Sequence, residues 1–294
     1  MKFGVSLPTF TPDVARPMDV ARRAAAAGAD AVFAPDHVFP PGAPERSAIE
    51  PFTLLSAVAA ANPGLGVGVL VTRAGVQPTG ILAKQGVALD HLSGGRAILG
   101  LGMGDRYARA EHEAMGIAFP PVQDRTVTLE ETARALRALF AGRPWPGGTR
   151  VGALAGPLLP PGAPQVWVGG ISDRALGVAA RAADAWNGWG LDAEGFASRA
   201  KVLEELADAA GRDSGGVVPT WGGITLVGED AGDLARLERD RAAKDLPMGI
   251  WRGTVEDLRT FADALAAAGC AWLVCLAAGP TDRLELIART LRER

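Results

Sequence analysis

The sequence predicts an α/β protein, specifically a (β/α)8 TIM barrel, and three observations lead to this class. Short apolar runs recur along the 294 residues, and most are followed by a stretch with helical spacing. These runs are mostly continuous rather than alternating, as expected for parallel strands covered on both faces. The length is close to that of one large α/β barrel. A doubly wound parallel sheet is the alternative fold, because it shows the same alternation of elements.

Eight runs are predicted to form the strands of the barrel. In chain order they are 2–7, 30–34, 65–71, 96–101, 165–169, 184–188, 218–227 and 271–276. The helical stretches are 14–27, 51–61, 79–91, 124–141, 173–182, 192–210, 230–244, 254–268 and 281–292. Thr254 is expected to cap the helix that follows it, and Asp257 is expected to complete a capping box.

Two regions interrupt this alternation, and we predict one domain over residues 1–294 with insertions after the third and fourth strands. Residues 102–123 form a long connection after the fourth strand. Residues 142–164 are too rich in proline and glycine for a helix, so an irregular insertion is expected there. Such segments lie on the surface and often contribute to binding.

The composition argues against several classes of partner. Charged residues make up 21% of the chain and the net charge is −3, without a basic run, so neither nucleic acid nor a membrane is expected as a partner. No apolar run is long enough to span a membrane, and the spacing of Cys270 and Cys275 is not that of metal ligands. We therefore expect a cytoplasmic protein that binds a small molecule and no metal.

A glycine-rich stretch, "HLSGGRAILGLGMGD" at 91–105, suggests a nucleotide-binding loop but lacks the other features of one. A P-loop would end in Gly-Lys-Ser/Thr, and a Rossmann fingerprint would lie between the first strand and the first helix. The first glycines instead predict a turn that enters the fourth strand, and "GMGD" predicts the turn that leaves it. Gly102, Met103 and Gly104 are therefore expected at the C-terminal end of a barrel strand, where barrel active sites lie.

Other candidate residues follow the same ends of neighbouring strands. Asp36 and His37 follow the second strand, and His37 is the histidine that has an acid beside it at such a position. An Asp-His pair of this kind is either a local hydrogen-bonded pair or a catalytic or cofactor-contacting one. Its place at a strand end keeps the second interpretation open.

The stretch "VGGISDRAL" runs from the fifth strand into a helix. The backbone N–H groups of Gly169, Gly170, Ile171 and Ser172, with the positive end of the helix behind them, suggest a phosphate site. The alternative is an ordinary glycine turn in which Ser172 caps the helix.

Four stretches taken jointly resemble the bacterial luciferase-like monooxygenases and their deazaflavin-dependent relatives, and the resemblance covers nearly the whole chain. The stretches are "LAKQGVALDHLSGGRAILGLGMG", "MGIAFPPVQDRTVTLEETARALRALF", "PQVWVGGISDRALGVAARAADAWN" and "GTVEDLRTFADALAAAGCAWLVCL". The resemblance implies a (β/α)8 barrel with a flavin or deazaflavin at the C-terminal ends of its strands, and a homodimer. It also implies a non-prolyl cis peptide in a bulge near Leu70, Val71 and Thr72.

The resemblance further implies a cofactor and a role for each candidate residue. Asp36 and His37 are similar to the Asp-His pair of deazaflavin enzymes, which implies coenzyme F420 and hydride transfer to or from a small organic substrate. His37 would be the general acid or base and Asp36 would orient it. Asp105 resembles a glutamate that several deazaflavin-dependent dehydrogenases place beside the ring, and it is a second candidate acid; capping of a turn is its alternative role. Leu70, Val71 and Thr72 would back the ring, Gly102, Met103 and Gly104 would line its edge, and Gly169, Gly170, Ile171 and Ser172 would hold the phosphate.

Two other functions stay open from the sequence. One is an FMN-dependent monooxygenase that uses reduced flavin from a partner reductase. The other is a cofactor-binding or partner subunit without activity, because "TRAGVQP" after the third strand departs from the aromatic- and basic-rich sequence common there.

Overall fold

A computed structural model describes residues 1–213, 215–242, 250–280 and 282–293. Its strands are β1 (Lys2–Ser6), β2 (Ala31–Ala34), β3 (Gly66–Arg73), β4 (Ala97–Gly102), β5 (Gln165–Gly169), β6 (Ala185–Trp189), β7 (Val218–Gly228), β8 (Ile250–Thr254) and β9 (Trp272–Ala277). Its helices are α1 (Ala15–Ala26), α2 (Pro51–Ala61), α3 (Thr79–Ser93), α4 (Ala108–Ala114), α5 (Val122–Phe140), α6 (Asp173–Ala182), α7 (Ala193–Ala209), α8 (Ala231–Ala242), α9 (Val255–Ala267) and α10 (Arg283–Arg292).

Eight of the strands in the described residues form a closed parallel barrel, which confirms the predicted fold class. Strands β1 to β7 pair in chain order, β7 also pairs with β9, and β9 pairs with β1. The doubly wound sheet is excluded, because such a sheet would be open. All these pairings are parallel, so the C-terminal ends of the barrel strands lie together at one end, which we call the mouth.

Three details differ from the sequence-based prediction. Helix α4 was missed within the connection 102–123, because seven residues are too few to show a helical period. Strand β8 was missed because it is short and pairs only with β7, outside the barrel. The prediction of an insertion after the third strand was wrong, since only residues 74–78 link β3 to α3. The last positions predicted for the helix 230–244 and the first of the helix 281–292 lie outside the described residues.

The interior of the barrel is filled by aromatic side chains. The rings of Phe33, Trp167 and Trp272 contact one another, with centroids 5.6 to 5.9 Å apart. Gly4 and Gly68 leave room for Phe33, because a Cβ atom at either position would come 2.7 or 2.8 Å from its ring. A larger apolar core lies between the barrel and the helices. The barrel is therefore a packed support rather than a pore, and a ligand would bind at its end.

Residues 142–164 have the irregular structure that their composition predicted, apart from one isolated bridge. This insertion is held on α5 by Glu131, whose carboxylate accepts the N–H groups of Thr149, Arg150 and Val151 at 2.7 to 2.8 Å. Burial opposes ionisation of Glu131, but these N–H donors outweigh it and lower the pKa of the carboxyl group. Glu131 is therefore one ionised side chain that holds the insertion on α5, and the ion pair between Arg150 and Asp124 of the same helix is another.

The capping box predicted at the start of α9 is confirmed. The backbone N–H of Asp257 donates to Oγ1 of Thr254 at 3.3 Å, and the backbone N–H of Thr254 donates to Oδ2 of Asp257 at 2.8 Å. Two N–H groups that would otherwise lack acceptors are thus satisfied reciprocally.

The two cysteines are buried and neither forms a disulfide. Burial raises the pKa of the Cys275 thiol to about 12, so the sulfur is protonated and unreactive at neutral pH. Within the described residues, no cluster of three or more His, Cys, Asp or Glu side chains could hold a metal ion. In the same part of the chain, no helix has the length and apolar character that crossing a bilayer requires.

Candidate active site

The mouth is lined by partly buried side chains that follow successive strands. They are Phe10 after β1, His37 after β2, Val71 in β3, Met103 after β4 and Trp189 at the end of β6. The ring of Phe10 packs edge-on against His37, with centroids 5.6 Å apart. Val71 and Trp189 pack on the aromatic interior of the barrel. The mouth therefore offers a mostly apolar surface with one histidine on it.

His37 is held by a buried acid that the sequence analysis did not single out. Its Nδ1 lies 2.8 Å from Oε1 of Glu111, which belongs to α4. The Glu111 side chain is fully enclosed, whereas 29% of the His37 side chain is exposed. The other carboxylate oxygen, Oε2, accepts the N–H of Val38 at 2.6 Å and lies 3.1 Å from Nη2 of Arg73. Glu111 therefore joins the loop after β2 to the end of β3.

The charge of Glu111 is compensated inside the protein. Burial opposes ionisation, but the hydrogen bonds from His37 and Val38 and the positive charge of Arg73 outweigh it and lower the pKa of the Glu111 carboxyl group. Arg73 is itself 5% exposed, and its Nε and Nη1 atoms have no hydrogen-bond partner within the described residues. A buried carboxylate and a buried guanidinium thus lie beside His37, and each reduces the cost of burying the other.

The partner predicted for His37 was wrong. Oδ2 of Asp36 accepts a hydrogen bond from Oγ1 of Thr72 at 2.5 Å, which ties Asp36 to β3. Burial raises the pKa of Asp36, although the hydrogen bond from Thr72 partly opposes the rise. Glu111 occupies the orienting position instead. It lies 74 residues further along the chain, in a helix too short to be recognised, so only the closed fold brings it to His37.

Strand β3 carries the irregularity that the resemblance implies. Its register against β4 shifts between Val69 and Thr72, and the Leu70–Val71 peptide bond is cis. Leu70 packs into the interior aromatic cluster and Thr72 is fully buried, whereas Val71 is partly exposed. Of the three residues predicted to back the ring, only Val71 presents its side chain at the mouth. Leu70 and Thr72 would contribute through the backbone of the bulge.

Two of the predicted glycines leave space for Val71. A Cβ atom at Gly102 would lie 2.7 Å from its Cγ2, and one at Gly169 would lie 2.7 Å from its Cγ1. Val71 is therefore enclosed between the ends of β4 and β5. The packing of the bulge accounts for both glycines, and their contact with a cofactor stays a prediction.

The turn at Met103 and Gly104 leaves β4 as predicted. Gly104 has φ 75°, a conformation that favours glycine. Arg125 of α5 supports the turn, since its Nε donates to the carbonyl oxygen of Met103 at 3.0 Å and its Nη2 to that of Gly104 at 3.4 Å. Oδ1 of the exposed Asp105 accepts two backbone N–H groups at the start of α4, at 2.9 and 3.2 Å. Asp105 thus has the capping role that was its alternative, and proton transfer by Asp105 stays a prediction.

The turn between β5 and α6 offers fewer phosphate ligands than the sequence suggested. The N–H of Gly170 donates to the carbonyl oxygen of Asn187 at 3.1 Å, so it is not available to a ligand. Ile171 and Ser172 are exposed, and Oγ of Ser172 accepts the N–H of Ala175 at 3.3 Å as the helix cap. The first turn of α6 still presents N–H groups without acceptors in the helix. A phosphate would therefore lie at Ile171, Ser172 and this first turn.

Comparisons with known proteins agree with the resemblance. A curated relative, phthiodiolone/phenolphthiodiolone dimycocerosates ketoreductase of Mycobacterium kansasii, is 28% identical over 214 residues, which are 68% of this chain and 56% of that protein. The same enzyme of Mycobacterium bovis (strain BCG / Pasteur 1173P2) is 30% identical over 212 residues, which are 68% of this chain and 54% of that protein. The chain thus spans about half the length of the curated relatives it matches.

Two solved structures show the same fold. An F420-dependent secondary alcohol dehydrogenase in complex with an F420-acetone adduct has a TM-score of 0.82 at 15% identity, over 98% of this chain and 97% of that chain. The EDTA monooxygenase of Chelativorans sp. BNC1 has a TM-score of 0.82 at 18% identity, over 99% of this chain and 92% of that chain. A family model described as luciferase-like monooxygenase matches residues 1–268. The chain therefore belongs to the luciferase-like monooxygenase family, whose members are F420- or flavin-dependent oxidoreductases.

Proposed function

We propose that this chain is an F420-dependent oxidoreductase that transfers a hydride between the deazaflavin and the carbon of a small secondary alcohol or ketone. The observation that carries the proposal is His37, whose partly exposed ring lies at the mouth and is held from behind by the buried carboxylate of Glu111. A histidine in this setting is suited to exchange a proton with a substrate oxygen. The names of similar proteins, a ketoreductase and a secondary alcohol dehydrogenase, support the substrate class.

The residues at the mouth fit a planar ring with a phosphate-bearing tail. Val71, Met103 and Trp189 provide partly exposed apolar surface. Ile171 and Ser172 begin the exposed first turn of α6, whose positive end suits a phosphate group. When bound there, F420 would supply the ring carbon that accepts or releases the hydride.

The chain's own residues would handle the proton. His37 would take the hydroxyl proton of an alcohol during oxidation and return it to the carbonyl oxygen during reduction. The carboxylate of Glu111 would stabilise the positive charge on the ring between these steps. Asp105 is retained as a second candidate acid. The proposal also includes a single domain over 1–294 and a cytoplasmic location, which the sequence and its composition suggest, and a homodimer, which the resemblance implies.

The test is a titration of the purified chain with F420 and, separately, with FMN, followed by assays with small secondary alcohols and ketones. We expect F420 to bind and to exchange a hydride with one of these substrates. His37→Gln should lower the rate about 100-fold, the typical contribution of a positioned acid or base, and should leave F420 binding intact. His91→Gln is the control, because His91 lies at the opposite end of the barrel against the carbonyl oxygen of Pro161.

Two outcomes would contradict the proposal. Binding of FMN without affinity for F420, together with oxygen uptake that depends on reduced FMN, would indicate a monooxygenase supplied by a partner reductase. Binding of neither cofactor would indicate a subunit without activity.

A further inference from the structure

Two groups that only donate hydrogen bonds lie against the carboxylate of Glu111. The backbone N–H of Val38 donates to Oε2 at 2.6 Å, and Nη2 of Arg73 lies 3.1 Å from the same oxygen. A carboxyl group beside two such donors is best satisfied as a carboxylate, whose oxygens only accept. Oε1, which lies 2.8 Å from Nδ1 of His37, is then an acceptor as well.

We infer that Glu111 is a positioning residue that keeps the proton of neutral His37 on Nδ1 and leaves Nε2 as a free acceptor at the mouth. Nδ1 faces the fully enclosed carboxylate of Glu111, so the exposed part of the His37 side chain is the part of the ring away from Nδ1. Within the described residues, Nε2 makes no hydrogen bond. The edge contact with Phe10 limits rotation of the ring out of this position.

The other charged groups near His37 support this arrangement. Arg73 provides the positive charge that makes a buried carboxylate tolerable at this position. Asp36, the other acid close to His37, is tied to the hydroxyl group of Thr72 and does not compete for Nδ1. Among the described acids, Glu111 is therefore the one hydrogen-bonded to the ring.

The consequence for catalysis rests on the proposed function. In alcohol oxidation the C–H bond would break with its electron pair, the bound deazaflavin would accept that pair as a hydride, and the O–H proton would pass to Nε2 of His37. The products would be a carbonyl group, a deazaflavin carrying the added hydride, and an imidazolium ring carrying the added proton and paired with Glu111. Reduction of a ketone is the reverse, with Nε2 returning its proton to the carbonyl oxygen. A ring with its proton already on Nε2 would be unable to begin the oxidation.

The direct test is the protonation pattern of His37, measured by long-range 1H–15N NMR on the full chain with 15N-labelled histidine. Spectra are recorded along a pH series that extends upward until the His37 signals stop changing, so that the neutral ring is the species observed. The His37 signals are identified by their loss in His37→Gln. We expect Nδ1 to be protonated and Nε2 to be unprotonated. In Glu111→Gln the side-chain amide can donate to Nδ1, so the proton should move to Nε2. Glu113→Gln, an exposed position of the same helix, should leave the pattern unchanged.

A proton on Nε2 in the unmodified chain would overturn the inference, and this result does not depend on whether Glu111→Gln folds. An unchanged pattern in a folded Glu111→Gln protein would overturn it too. If F420 activity is present, Glu111→Gln should lower kcat about 100-fold without changing the KM for F420. The NMR result is independent of activity, so failure of the proposed function and failure of this inference are distinguishable.

Discussion

Gly169→Ala should destabilise the barrel, because the new methyl group would collide with Val71. The added Cβ atom would lie 2.7 Å from Cγ1 of Val71, whereas carbon atoms in favourable contact are about 3.5 to 4.0 Å apart. Val71 has little room to move away, since Gly102 on its other side approaches Cγ2 as closely. Overpacking of this kind costs about 1–3 kcal/mol of unfolding free energy.

A double-mutant cycle isolates this collision. Val71→Ala removes both Cγ atoms, so Gly169→Ala should cost no more than about 0.5 kcal/mol in that background. Thermal melting followed by circular dichroism is a suitable assay, and about 1 kcal/mol corresponds to a shift in Tm of roughly 2 °C for a chain of this size. Gly152→Ala is the control, because a Cβ atom there would meet no atom within 4 Å.

The cycle has two unfavourable outcomes. If Gly169→Ala has the same Tm as the unmodified protein, packing does not require a glycine at this position. If it is as destabilising beside Val71→Ala as alone, the loss has another cause than the contact with Val71.

Two further predictions concern the insertion and the thiols. The pKa of the Glu131 carboxyl group is lower in the folded protein than its ordinary value of 4.5. The carboxylate therefore stabilises the folded protein above pH 4.5, and this stabilisation is lost as the pH falls through the folded-state pKa. Amide hydrogen exchange at Thr149–Val151 should be about tenfold faster in Glu131→Gln at neutral pH, as expected for loss of a charge-assisted hydrogen bond. The difference between the two proteins should shrink below pH 4.5. Equal exchange rates at neutral pH would contradict the role of Glu131. Because both thiols are buried, Cys270 and Cys275 should resist alkylation by iodoacetamide in the folded protein and should react in urea, as measured by mass spectrometry. Alkylation of Cys275 in the folded protein would contradict the raised pKa of its thiol.

The sequence was sufficient to predict the barrel and the end at which the site lies. Each of the eight barrel strands is a local apolar run followed by a helical pattern, and both patterns can be read within about 20 residues. Because parallel strands in a barrel share one C-terminal end, His37 and the turn at Met103 and Gly104 were expected at the mouth. The turn-capping alternatives considered for Asp105 and Ser172 also depend on neighbouring residues alone, and both are observed.

The tertiary structure decided which of these residues meet. Glu111 and His37 are separated by 74 residues, and no local pattern connects them. Arg73 is the last residue of the buried strand β3, and its positive charge is compensated there because Glu111 of α4 lies beside it. Hydrophobic periodicity specifies which residues face the core, but it does not specify which polar groups become neighbours when the barrel closes. Closing the barrel selects those neighbours, because a buried charge is tolerated only where the fold supplies its partner.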